Sequence, residues 1–200
     1  LPLFLDVAVA KPSVSVDAWE ILADVTARRA TRLNAAAALA RFAPQDQRWN
    51  GLATQVASLL VFEKSGSIAE WIDLLQPVQS WLREPLADLV ADAEPAQFGT
   101  LATALARMGT AAIATLGQET TSPLPESSEE VRDAAAKRRA RQALMQLRLG
   151  EPTSVLRLLR RKFPDDPRLQ TYIIHGLAEY DFDPNLVSAM AKAAERDDVK

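Results

Sequence analysis

His175 is the single histidine of a 200-residue chain that has no cysteine. One imidazole cannot supply a three-histidine iron site or the two histidines of a facial triad. Without cysteine there is no thiolate nucleophile, no thiolate metal ligand and no disulfide. His175 follows Ile173-Ile174 in a segment of helical pattern, and a general base needs a positioned partner that the sequence does not offer. It reads as a histidine at a contact between helical repeats. The acidic pairs Glu129-Glu130, Asp165-Asp166 and Asp197-Asp198 lie just before or within the first turn of an expected helix. There a carboxylate meets the positive end of the helix dipole, so these pairs read as caps rather than as acid/base or metal-binding groups. Asp181-x-Asp183 lacks the further oxygen donors and the turn glycine of a calcium loop. Glycine-rich phosphate loops, Gly-x-Ser-x-Gly elbows and His-Glu-x-x-His strings do not occur. The residue types point to a chain with no catalytic residue, no cofactor and no metal of its own.

Between Lys137 and Arg168, ten basic residues stand against three acidic ones. Within this stretch Arg138, Arg139, Arg141, Arg157, Arg160 and Arg161 are candidates for contact with an anion or a partner surface. On the concave face of a helical array they could grip nucleic-acid phosphates, and such binding would be steeply salt-dependent. Against this, the whole chain carries a net charge of −3, and the basic residues span three expected helices with a single aromatic, Phe163, among them. Arg160-Arg161-Lys162 also falls in the last turn of a helix, where positive charge is stabilising anyway. A solvated face is the plainer reading. Nucleic acid is disfavoured as a partner, and DNA binding through segment 137–168 is an alternative. Trp49, Trp71, Trp81, Phe62 and Phe98 read as core or inter-repeat contacts, because aromatic side chains dominate burial energetics.

All of these residues have to be held by helices. Ala, Leu and Arg are abundant, glycines number only seven, and no period-two alternation marks a strand. A first helix is expected over 16–26 with Ser15 as its N-cap, and a second over 27–42, stopped by Pro44. Further helices are expected over 46–62, 67–75, 77–91, 95–108, 111–115, 128–149, 153–162, 167–180 and 184–196. Pro77, Pro95, Pro167 and Pro184 sit where helices begin, the helical position at which a missing N–H costs least. The stretch 118–128, rich in Pro and Ser, is the clearest exposed loop and the best internal boundary, separating an N-terminal helical array at 1–117 from regular helix pairs at 129–200.

Those pairs echo one another. Pro184 follows Pro152 by 32 residues, and Asp197-Asp198 follows Asp165-Asp166 by the same interval. A fixed period near 30 residues with helical content marks stacked helix pairs, each burying its apolar face on the next. A second echo, at an offset of 108, aligns Ala35, Leu39 and Pro44 with Ala143, Leu147 and Pro152.

The strings Ala136-Lys137-Arg138-Arg139-Ala140-Arg141-Gln142-Ala143-Leu144, Leu147-Arg148-Leu149-Gly150-Glu151-Pro152 and Asp166-Pro167-Arg168-Leu169-Gln170-Thr171-Tyr172-Ile173-Ile174-His175-Gly176-Leu177 carry a family resemblance. Together they resemble the HEAT-like helical region of large bacterial multidomain proteins. In those proteins the region lies upstream of a formylglycine-generating, sulfatase-modifying-factor type domain, often with a serine/threonine kinase domain nearer the N-terminus. Trp71 to Val78 and Ala93 to Phe98 look like further pieces, so the resemblance covers about residues 27 to 200. Gly176 and Gln170 depart from it, standing where arginine is expected. The resemblance is to a connecting scaffold and brings no catalytic residue into this chain.

The expected fold is therefore all-α, a right-handed α-solenoid of HEAT-like helix pairs, irregular in its N-terminal half. The chain opens on Leu1 and stops where the period asks for another repeat, so it is expected to be a truncated part of a larger protein. Its expected function is that of a non-catalytic scaffold or spacer for protein–protein or interdomain contact. The partners would be other domains of the parent chain or a separate protein. An alternative makes it the accessory region of a formylglycine-generating-type oxidoreductase or kinase whose chemistry lies elsewhere. The longest apolar runs fall short of the roughly 20 residues a bilayer span needs, and the opening Leu1–Leu5 lacks a preceding basic segment. No membrane partner is expected, and a chain free of cysteine fits a cytoplasmic location.

Overall fold

The computed structural model describes residues 12–120, 128–160 and 167–196. Among these residues the fold is all-α, with no strand. The helices are α1 (Pro12–Ala23), α2 (Arg29–Phe42), α3 (Trp49–Val61), α4 (Ser65–Leu74), α5 (Gln79–Asp92) and α6 (Pro95–Met108), then α7 (Thr110–Thr120), α8 (Glu129–Arg148), α9 (Thr153–Arg160), α10 (Arg168–Glu179) and α11 (Pro184–Arg196). A 3₁₀ turn, Gln76–Val78, precedes α5. Contacts divide the chain into two compact units, Leu1–Leu86 and Ala87–Lys200, with the division inside α5.

Several helix limits follow from local chemistry. α6 starts at Pro95, whose missing N–H is one the first turn leaves unpaired in any case. Its entry is fixed further by Gln97, whose Oε1 accepts the Glu94 N–H at 3.0 Å. At its far end Gly109 adopts φ +75, a conformation glycine enters without a Cβ penalty. α1 begins and ends earlier than the expected 16–26. Asp24 Oδ1 accepts both the Thr26 N–H at 2.8 Å and the Thr26 hydroxyl at 2.7 Å, a side-chain turn that competes with further helix. α7 runs to Thr120, into the stretch expected to be loop, and residues 121–127 lie outside those described. Pro85 sits inside α5, where it removes the amide that would have bonded the Trp81 carbonyl. Proline is thus not only punctuation in this chain.

In the first unit α2 is the hub, packing on α1, α3, α4 and the 3₁₀ turn. Leu22, Leu33, Leu39, Trp49, Leu60 and Ile72 are buried there. Trp19 meets Trp49 edge-on, with ring centroids 5.3 Å apart. Trp49 Nε1–H donates to the Ala43 carbonyl at 3.0 Å and Trp81 Nε1–H to the Pro44 carbonyl at 3.2 Å. Trp49 and Phe98 are buried, as expected, whereas Trp71 and Trp81 are half-buried. Phe62 departs from expectation: it is 59% exposed, because it caps α3 at the surface and its ring lies beneath the Arg29 guanidinium, 4.9 Å away.

In the second unit α8 takes the central place, packing most extensively on α10 and also on α7, α9 and α6. α9 touches α11 as well as α10. Contacts therefore run between α8 and α10 and between α9 and α11, elements that the 32-residue echo relates. The α8–α10 approach is close at Gly176, where an added Cβ would collide with Leu144 Cδ1 and lie 3.3 Å from Tyr180 Cε2. Position 176 therefore leaves no room for a side chain. Tyr180 in turn stacks on Phe98 at 4.2 Å with the rings 20° apart. The positions paired by the 108-residue echo, Ala35 with Ala143 and Leu39 with Leu147, are all buried.

Candidate functional site

The last four carbonyls of any helix lack an internal donor, and in this protein arginine side chains repeatedly supply one. In the first unit Arg32 Nε donates to the Leu22 carbonyl in the last turn of α1 at 2.9 Å, while its Nη2 donates to Gln55 Oε1 at 2.7 Å. Arg29 Nη1 reaches the Phe62 carbonyl at the end of α3, at 3.2 Å. In the second unit Arg141 Nη1 donates to the Ala91 carbonyl in the last turn of α5 at 2.8 Å. Arg148 Nη2 donates to the Tyr180 carbonyl beyond α10 at 2.6 Å, with its guanidinium 4.8 Å from the Phe182 ring centroid. A guanidinium suits this role because it presents several donors in a rigid plane and cannot lose its charge.

The candidate arginines of segment 137–168 meet different fates. Arg141 is half-buried and tied, its Nε also donating to Tyr180 Oη at 3.1 Å. Arg138 is exposed and lies 3.8 Å from Asp92, a loose surface pair that contributes little. Arg139 is half-buried on α8 and Arg157 is exposed on α9. Arg160 closes α9, and Arg161 lies outside the described residues. Of the four whose side chains are described, Arg141 lines a concave feature.

That feature is a cleft of about 300 Å³ between α8 and α10. Helical spacing builds it. Lys137 and Arg141 stand one turn apart on α8, while Tyr172, His175 and Glu179 follow at three and four residues on α10, putting each set on one face. Ala140, Leu144 and Gly176 leave room between the helices. Lys137 Nζ lies 5.6 Å from the Tyr172 ring centroid. The Tyr172 hydroxyl donates to Asp133 Oδ1, and that bonded carboxylate, with burial, pushes the phenol above its ordinary value of 10. At the same end of the helices Arg168 Nη2 and Glu129 Oε1 pair at 2.7 Å. His175 is exposed at the cleft, not enclosed in a contact between helices.

No protein-family model, curated protein or solved structure matches the chain. Among the described residues, no three histidine, cysteine, aspartate or glutamate side chains are grouped to hold a metal ion. No helix among them is long and apolar enough to cross a membrane. Sequence reading singled out Arg141 and His175 but missed Tyr172, Glu179 and Tyr180 as companions. The i, i+4 spacing of Lys137 with Arg141, and of His175 with Glu179, was the signal that could have joined them.

Proposed function

We propose that this chain is a non-catalytic helical scaffold, an α-solenoid-like stack of helix pairs that offers its surface to a protein partner or to other domains of a longer cytoplasmic protein. The observation that carries the reading is the use of its arginines. Arg29, Arg32, Arg141 and Arg148 donate to carbonyls at helix ends, so cationic groups that would serve chemistry elsewhere here join helices to one another. Packing of α8 on α10 and of α9 on α11 supports the stacked-pair arrangement, in which each pair covers the apolar face of the next. The resemblance of 136–177 to the HEAT-like regions beside formylglycine-generating domains favours a place next to such a domain. The DNA-binding alternative draws less support, because the whole chain carries a net charge of −3 and Arg141 is held against Ala91 and Tyr180 rather than extended from the surface.

Exchange of exposed side chains on α8 and α10 tests the reading. In the protein as it occurs, Arg138→Glu or His175→Ala should release a bound protein or neighbouring domain without lowering Tm. Turnover of a small substrate by the purified chain, at a rate that falls in His175→Ala, would refute a non-catalytic role.

A further inference from the structure

We propose that the cleft between α8 and α10 receives a single carboxylate, that of a Glu or Asp side chain presented by the scaffold's partner; the proposal rests on the scaffold reading above. Its donors are set in place before any ligand arrives. Arg141 is fixed by the Ala91 carbonyl and by Tyr180 Oη, which leaves further guanidinium N–H groups uncommitted to those two bonds. Tyr180 Oη accepts from Arg141 and so has its own hydrogen to donate. Lys137 stands one turn away over the Tyr172 ring. Holding donors in this way removes much of the entropy cost of ordering them on binding.

Charge selects the ligand. Lys137 and Arg141 supply two positive charges to the lining and Glu179 one negative charge, a balance that one carboxylate completes. The nearby Asp133 is engaged by the Tyr172 hydroxyl. A phosphate dianion would set its second charge against Glu179, and like charges at short range disfavour that form. Size selects the source. At about 300 Å³, with His175 and Glu179 exposed at its edge, the cleft is at the lower limit of sites that enclose a free metabolite. It suits one side chain entering from a protein surface.

The chain carries its own reporters, since its only histidine and both of its tyrosines line this cleft. Proton NMR of the full chain follows the His175 and tyrosine ring signals during titration with a capped Ala-Glu-Ala peptide, its Ala-Gln-Ala counterpart, acetate and inorganic phosphate. The Glu peptide should shift these signals with an affinity about fivefold or more above the Gln peptide. Lys137→Glu should weaken that binding about fivefold at unchanged Tm, and Glu179→Gln should strengthen it about threefold. Arg141 is left intact, because its removal also strips the Ala91 carbonyl. The proposal fails if the Gln peptide binds as well as the Glu peptide, if phosphate binds more tightly, or if no signal moves. Acetate binding as tightly as the peptide would assign the cleft to a free carboxylate and overturn the protein source. None of these outcomes alters the partner-release test of the scaffold reading, so the two can fail separately.

Discussion

Replacing Gly176 by alanine probes the packing on which the second unit depends. An alanine in a helix interior is intrinsically favoured over glycine by about 1 kcal/mol, so stability should rise unless the new methyl meets something. At Gly176 it meets Leu144 Cδ1 inside van der Waals contact and Tyr180 Cε2 at 3.3 Å. Neither can swing away: Leu144 is fully buried, and the Tyr180 ring is stacked on Phe98. Overpacking of this kind costs about 1–3 kcal/mol, and the rigid surroundings put this case in the upper half. The net expectation is a loss of about 1–2 kcal/mol for Gly176→Ala. Gly99→Ala is the control, because that glycine is exposed within α6 and nothing lies within 4 Å of its added Cβ. It should gain up to about 1 kcal/mol. Urea unfolding of the full chain reads the effect through the two tyrosines, which both belong to the second unit, while the four tryptophans all lie in the first. In a Leu144→Ala background the closest obstruction is gone and only the Tyr180 ring at 3.3 Å remains, so Gly176→Ala should cost markedly less than in the parent chain. Equal stability changes at Gly176 and Gly99 would show that α8 and α10 do not approach as described.

Arg32→Ala should cost about 2–4 kcal/mol, seen by tryptophan fluorescence, since it leaves the Leu22 carbonyl and Gln55 without their donor; Arg32→Lys should recover little of it. Asp46 accepts the Arg48 N–H and both Nε–H and Nη2–H of its side chain, and these bonds lower its carboxyl from 3.8 to about 2. A carboxyl depressed in the folded state contributes stability that is present above 3.8 and is lost as pH falls through about 2. NMR titration of Asp46 should find that low midpoint, and Arg48→Ala should return it toward 3.8. Tyr172 should ionise above its ordinary value of 10, and Asp133→Asn should bring it down, as read by tyrosinate absorbance. Because the folded-state value is raised, the associated stability holds below pH 10 and is lost as pH rises through the folded value.

The helical class and several helix limits were legible in the sequence because they rest on local chemistry. Pro95 and Pro184 open α6 and α11 where expected, and Pro44 lies just past the end of α2. Competing local signals and long-range contacts were not legible. The side-chain turn at Asp24–Thr26 ended α1 early, and Pro85 was accommodated within α5. A burst of arginines says nothing of which one is buried, because the Arg141 partner is a backbone carbonyl 50 residues away and that of Arg32 lies 10 residues away. Nor could sequence explain Gly176, whose missing side chain makes sense only against Leu144 and Tyr180.

The most direct test places a photocrosslinking residue at position 175 in the protein at its natural level in cells. The scaffold account predicts attachment to one defined polypeptide, and the carboxylate-binding cleft adds that the attached segment contains Glu or Asp and that the adduct is lost when Lys137→Glu is introduced in the same chain. The absence of a polypeptide adduct would contradict the scaffold account, whereas an adduct indifferent to Lys137 would contradict only the carboxylate-binding cleft.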